Sequence, residues 1–263
     1  MHTIVLATQK GGSGKSTLAI GLALAAIQAG HTVRLIETDP QGTLSNWQSR
    51  RIYAEPAVEP VYSAAEIEQR LQALQRSGVM VAIIDTAGGL SAATTASIRH
   101  ADLCLIPTRP SIVDIEATAA TLHIVRAWKR PFAFVLNQSP IRGQRVSGAV
   151  SSLGEEAALD LGDVLAQPFI IMRNDHQDAL SSGLAVSEYA PAGKSADEIR
   201  GLWQWIETRL GIEPVTAAAA VEEPVAEPSI IPVNPPPAAA DLVPTMFLLQ
   251  PAETAPRPAQ DLF

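Results

Sequence analysis

The sequence predicts an α/β fold, a doubly wound and mostly parallel sheet, on three observations. Thr3–Ala7, Val33–Ile36, Val79–Ile84, Leu103–Ile106, Phe132–Leu136 and Phe169–Met172 are short apolar runs that scarcely alternate. That is the pattern of strands covered on both faces. Helical stretches fall between these runs, and repeated strand–helix alternation builds layered α/β domains. A glycine-rich segment lies directly between the first run and the first helical stretch, where such folds turn from strand to helix.

Each element has a local reason. Lys15 to Ala29 is rich in Ala and Leu and stops at Gly30, which suits the left-handed residue after a helix end. Ser63-Ala64-Ala65-Glu66 has the form of a capping box and opens a helix expected to run to Gly78. Ser111 to Trp128 and Ala196 to Leu210 are helical in pattern, and Arg142 and Arg145 are expected in a loop. Cys104 sits in the run Leu103-Cys104-Leu105-Ile106 and reads as a small core residue.

Composition bounds the rest. The 263 residues are 47% hydrophobic and 17% charged, enough for a sizeable core in one or two domains. The net charge of −8 excludes a basic nucleic-acid coat, though not a local basic patch. One cysteine excludes an intrachain disulfide and a cysteine-based zinc site. The stretch from Glu213 to Phe263 holds 11 of the 20 prolines, with seven acids against one base, so it carries −6 of the charge. Two regions follow: a folded domain over 1–212, and a disordered Pro/Ala-rich acidic tail over 213–263, polyproline-like where Pro235-Pro236-Pro237 stand together. The apolar islands Met246-Phe247-Leu248-Leu249 and Asp261-Leu262-Phe263 are either incidental or short docking motifs. The start of the chain lacks the long apolar stretch of a signal peptide, and the run near Leu18 to Ala29 falls short of the ~20 residues needed to span a bilayer. The expected location is the cytoplasm.

The strongest chemical signal is Lys10-Gly11-Gly12-Ser13-Gly14-Lys15-Ser16-Thr17. Its glycines let backbone N–H groups turn inward around phosphate oxygens, and the following helix adds its N-terminal dipole. Lys15 can reach the β- and γ-phosphates, and the Ser16 hydroxyl can ligate Mg²⁺. The expected cofactors are a nucleoside triphosphate and Mg²⁺, bound by a single P-loop NTPase domain. Val81-Ala82-Ile83-Ile84-Asp85 is an apolar strand ending in a carboxylate, placed to hold Mg²⁺ together with Ser16. Asp39, before Pro40, suits either a turn or a role at the phosphates.

The ordinary phosphate loop would have glycine where Gln9 stands, and here an extra lysine, Lys10, follows it. This deviant Walker A pattern resembles that of the ParA/MinD family of ATPases, and most nearly of small ParA-type partition ATPases. Glu37-Thr38-Asp39-Pro40-Gln41-Gly42 is similar to the family's D-x-D-P-Q-G segment, with Glu37 in place of the first Asp, and Asp85-Thr86-Ala87-Gly88-Gly89 resembles its switch segment. The resemblance implies that Lys10 is the signature lysine, reaching the phosphates of the partner subunit in an ATP-bound homodimer. It implies that Asp39 orients the attacking water, and that Asn137 and Asn174 hold the adenine. Turn chemistry is the competing reading of both asparagines. It further implies non-specific DNA binding, for which Arg142, Arg145, Arg173 and Lys194 are candidates beside the cluster Arg126, Lys129 and Arg130. Ordinary solvated charge is the alternative for each.

The function so implied is weak, Mg-dependent ATP hydrolysis that drives a dimerising switch. The switch segregates plasmid or chromosomal DNA, sits on the nucleoid when ATP-bound, and answers to a ParB-like or small ribbon-type partner. The alternatives are positioning of a protein cluster, a conjugation role, or a MinD-like membrane switch. The last would need a basic amphipathic C-terminal helix, which the acidic tail does not offer, so no stable membrane association is expected. Metabolic P-loop enzymes have no evident use for the D-P-Q segment and the extra lysine.

Overall fold

The computed structural model describes residues 1–141, 144–157 and 164–213. The chain divides into two units, Met1–Ala220 and Val221–Phe263. The expected tail lies outside the described residues from 214 onward. The strands are β1 (His2–Leu6), β2 (Val33–Glu37), β3 (Val58–Pro60), β4 (Val81–Asp85), β5 (Leu103–Thr108) and β6 (Phe132–Leu136). The helices are α1 (Lys15–Gln28), α2 (Thr43–Ser49), α3 (Ala64–Arg76), α4 (Ala92–Arg99), α5 (Ile112–Glu116), α6 (Ala119–Ala127), α7 (Gln144–Ala157), α8 (Asp175–Ser181), α9 (Val186–Tyr189) and α10 (Lys194–Leu210).

The six strands form one sheet in the order β3-β2-β4-β1-β5-β6, and every pairing is parallel. Successive residues of each strand enter opposite cores, as the period of two requires. Ile4, Leu6, Leu35, Ile83 and Leu105 pack beneath α1, α9 and α10, while Val5, Ile36, Ile84, Cys104 and Phe134 pack beneath α3, α4, α6 and α7. Helices therefore cover both faces, which is why the strands read as continuous apolar runs. Gly21 lets α1 approach α10 closely: a Cβ there would lie 3.2 Å from Ile199.

The helix ends show local chemistry. Gly30 adopts φ +92°, its N–H meets the Ile27 carbonyl, and the His31 N–H meets that of Ala26. This is the doubly bonded glycine stop expected after α1. The capping box at Ser63 does not form. Ser63 is the N-cap of α3, but its side chain makes no cap hydrogen bond.

Three further expectations are corrected. Phe169–Met172 does not extend into a strand: it makes one isolated bridge, Ser139 with Ile171, through hydrogen bonds of Ile170 and Met172, and the Ile171 N–H on the other side meets the Glu198 carboxylate at 3.0 Å. The helix expected over Ser111 to Trp128 is broken into α5 and α6, with Thr118 Oγ1 donating to the Ile115 carbonyl at the junction. Arg145 lies in α7 rather than in a loop, while Arg142 lies outside the described residues.

The parallel arrangement places the carboxyl ends of β1, β2 and β4 side by side. Leu6 is in register with Asp85, and Asp85 with Glu37. From β1 the chain winds out to β3 and later returns to the other side of β1 through β5. A crevice opens at the carboxyl ends of strands where winding reverses, and ligands bind there in open α/β sheets.

Candidate functional site

The phosphate loop fills that crevice. It joins β1 to α1, and two of its glycines take left-handed backbone angles, Gly12 at φ +75° and Gly14 at φ +89°. Gly14 is required a second time: a Cβ there would lie 2.2 Å from Asn137 Nδ2. Asn137 Nδ2 donates to the Ser13 carbonyl at 2.7 Å, and its Oδ1 accepts the Gln138 N–H at 2.9 Å. The Gln138 side chain donates to the Gly12 carbonyl at 3.0 Å. The end of β6 thus braces the loop across its back. The N–H side of a P-loop is the side that meets phosphate.

Lys15 is the first residue of α1, and its side chain is buried beneath the loop. Burial lowers its pKa, while the Asp85 and Asp39 carboxylates pull it upward. Asp85 ends β4 with no exposure to solvent. Burial pushes its carboxyl up to about 7, and the nearby Ser16 hydroxyl and Lys15 ammonium pull the other way. Neither Asp85 oxygen has a partner of hydrogen-bonding geometry, and Ser13 Oγ is likewise buried and unmet. A buried, unsatisfied carboxylate beside a lysine and a serine is what a hydrated divalent cation and a phosphate would satisfy. Ser16 and Asp85 thus fit a Mg²⁺ ion, which when bound would neutralise phosphate charge. No cluster of three His, Cys, Asp or Glu able to hold a metal by itself exists among the described residues.

Asp39 follows β2 and is half-buried. Its Oδ1 accepts the Gln41 N–H at 2.9 Å, so part of the carboxylate shapes the turn through Pro40. Its charge still reaches Lys15 and Asp85. The turn reading and the catalytic placement are therefore compatible at this one residue.

Glu37 has a role that the motif did not disclose. It is fully buried, and its Oε1 accepts the Leu44 N–H at 2.6 Å, while its Oε2 accepts from the Ser45 backbone and hydroxyl. Gly42, the N-cap of α2, has no side chain to do this. The longer acidic side chain reaches from the sheet and caps the helix instead. The signal was the departure from Asp to Glu itself.

Lys10 does not fold back onto its own loop. Its ammonium lies 2.9 Å from Asp114 Oδ1 on α5, and about a third of the side chain is exposed. Arg109 also holds Oδ1, at 3.0 and 3.1 Å, and the Ser111 hydroxyl donates to Oδ2. Burial tends to raise the Asp114 pKa, but the hydrogen bonds from Ser111, Lys10 and Arg109 outweigh it and hold the group below the usual carboxylate range. Sequence reasoning did not single out Asp114, whose partner lies more than 100 residues away.

The remaining candidates lie in three places, with Arg173 beside the phosphate loop. Asn174 is the N-cap of α8, without a side-chain cap hydrogen bond. Arg173 is engaged by Glu198 through two contacts of 2.7 Å, and Lys194 is exposed at the start of α10. Arg126 lies in the last turn of α6, and Lys129 and Arg130 follow it before β6 begins. They lie at the amino edge of the sheet, away from the phosphate loop.

Comparisons with known proteins agree with this geometry. A family profile described as VirC1 protein matches residues 1–131, which contain the phosphate loop, Asp39 and Asp85. Maintenance of carboxysome distribution protein A from Halothiobacillus neapolitanus is 27% identical over 206 residues, spanning 75% of this chain and 92% of that protein. Protein ParA from Rhizobium radiobacter is 28% identical over 167 residues, spanning 59% of this chain and 73% of that protein. Among solved structures, the septum site-determining protein MinD from Pyrococcus horikoshii, complexed with Mg-ADP, superposes with a TM-score of 0.64 at 16% identity, covering 80% of this chain and 98% of that one. That last likeness is one of fold. Sequence and fold comparisons point the same way, and the chain is similar to the ParA/MinD family of P-loop ATPases.

Proposed function

We propose that this chain is an ATP-dependent dimerising switch that hydrolyses ATP slowly, with Mg²⁺, to segregate or position DNA on the nucleoid. The observation that carries this reading is Lys10. One loop has little room for two ammonium groups at one γ-phosphate, and Lys15 already occupies that place. Lys10 stands at the rim on a partly exposed side chain, held by Asp114 rather than by its own phosphate loop. A second subunit's phosphates are the natural destination for such a group. Asp39 and Asp85 then serve hydrolysis by orienting water and by holding the metal, since phosphoryl transfer depends mostly on positioning and charge stabilisation.

DNA binding in this scheme belongs to the ATP-bound dimer, which gathers cations from two chains, and a ParB-like or small ribbon-type partner stimulates hydrolysis and release. A second reading, positioning of a protein cluster, is favoured by the likeness to a protein named for carboxysome distribution. Both readings use the same switch and place it in the cytoplasm. No helix among the described residues is long and apolar enough to cross a membrane.

The test is DNA binding with and without ATP, for wild type and Lys15→Ala, at two salt concentrations. Binding that requires ATP and Lys15 and collapses at higher salt is the expected result. Absence of DNA binding in every nucleotide state would refute the DNA reading and favour protein-cluster positioning.

A further inference from the structure

Beside the phosphate loop lies a second cavity, between the start of α1 and the segment that leads into α8. Gly14, Thr17, Asn137, Ile170, Arg173 and His176 are among the residues that line it. Since it adjoins the loop at Gly14 and Thr17, a nucleotide whose phosphates occupy the loop would lay its base or ribose there. The inference here rests on that nucleotide reading.

The polar groups around this cavity are mostly spoken for. Asn137 spends its carbonyl on the Gln138 N–H and one amide hydrogen on Ser13. The Gln138 side chain is bound to Gly12, and Arg173 is clamped by Glu198. His176 differs from these. Its Nε2 is buried and without a partner, alone in this among the described polar side-chain atoms of the residues lining the cavity. Burial holds its ring below the ordinary histidine pKa, against the upward pull of Glu198 and Asp175, and Arg173 adds to the lowering. A neutral imidazole has a lone pair to offer. Buried polar atoms are rarely left unmet in a folded protein, and a ligand is one explanation when they are.

We infer that His176 is a base-reading residue, its Nε2 accepting a hydrogen bond from the exocyclic amine of a bound adenine. The apolar walls, Leu18 and Ile170 among them, suit the faces of a planar ring. The Asn137 amide is engaged in bracing the loop, so His176 Nε2 is the acceptor that the cavity leaves open.

The test measures binding of three ligands to the full chain: ATP, purine riboside triphosphate, which lacks the 6-amino group, and inorganic tripolyphosphate. Wild type should prefer ATP over purine riboside triphosphate by about 3- to 10-fold, the range of one neutral hydrogen bond. In His176→Phe that preference should vanish while tripolyphosphate binding is unchanged, and His176→Gln, which keeps an acceptor, should restore part of it. A preference that survives in His176→Phe would overturn the assignment. So would an equal loss for all three ligands, which marks a structural role. Should His176→Phe fail to fold, the assignment stands or falls on whether the preference in His176→Gln shifts from wild type. Failure of wild type to bind either ATP or tripolyphosphate would refute the nucleotide reading itself, and this inference with it.

Discussion

Lys10 Nζ and Asp114 Oδ1 lie 2.9 Å apart within one chain. A lysine destined for another subunit's phosphates must first leave this carboxylate. Release does not strand Asp114, because Arg109 and Ser111 remain bound to it. Asp114→Asn should therefore shift ATP-dependent dimerisation to lower protein concentration, by several-fold, as read by sedimentation velocity. Lys10→Ala should abolish the dimer in either background. Weaker dimerisation in Asp114→Asn would mean that the carboxylate presents Lys10 instead of restraining it.

Glu37 predicts a stability effect that does not require nucleotide. Glu37→Ala removes the acceptor for the Leu44 and Ser45 N–H groups at the start of α2. Loss of hydrogen bonds to a charged cap should destabilise the fold by about 1–3 kcal/mol. Glu37→Gln keeps the length but loses the charge, and should fall between. Thermal unfolding of the three chains without ligand checks the order.

Asn137 offers a contrast with His176. Because its amide braces the Ser13 carbonyl, Asn137→Ala should lower ligand-free stability by about 1 kcal/mol. It should weaken ATP and tripolyphosphate binding alike. Selective loss of ATP affinity alone would return Asn137 to the base.

The buried Asp85 predicts a pH dependence. Its carboxyl titrates at about 7 in the fold against an ordinary value of 3.8. Between those values the unfolded chain releases a proton that the fold retains, so rising pH favours unfolding. Stability from this source is greatest on the acid side and is lost as pH climbs through the folded pKa. Asp85→Asn should raise the ligand-free melting temperature more at about pH 8.5 than at about pH 6. It should also remove the Mg²⁺ dependence of nucleotide binding. An equal shift in melting temperature at both pH values would contradict the assigned cause.

Much of this architecture was readable from residues near one another in sequence. Phe132–Leu136 is a strand with the expected ends, and the phosphate loop, Asp39 and Asp85 fall on one crevice because phosphate chemistry uses contiguous motifs. The parts that escaped are fixed by distant partners. β3 is three residues long and ends in Pro60, too short to show as an apolar run. α2 owes its start to Glu37 on another element. The break between α5 and α6 lies inside a stretch whose helical pattern continues across it, so periodicity could not find it. In the site, Asp114 and His176 carry no motif, and only the folded chain brings them to the phosphate loop.

Cys104 lies in β5 with no exposure, and burial pushes its thiol up to about 12. At neutral pH it holds almost no thiolate, the form that attacks alkylating reagents. Being the sole cysteine of the chain, it makes the native protein a silent background for maleimide chemistry. A fluorophore or spin label can thus be attached at a single introduced cysteine on the rim near Lys10, with no native residue to be replaced first.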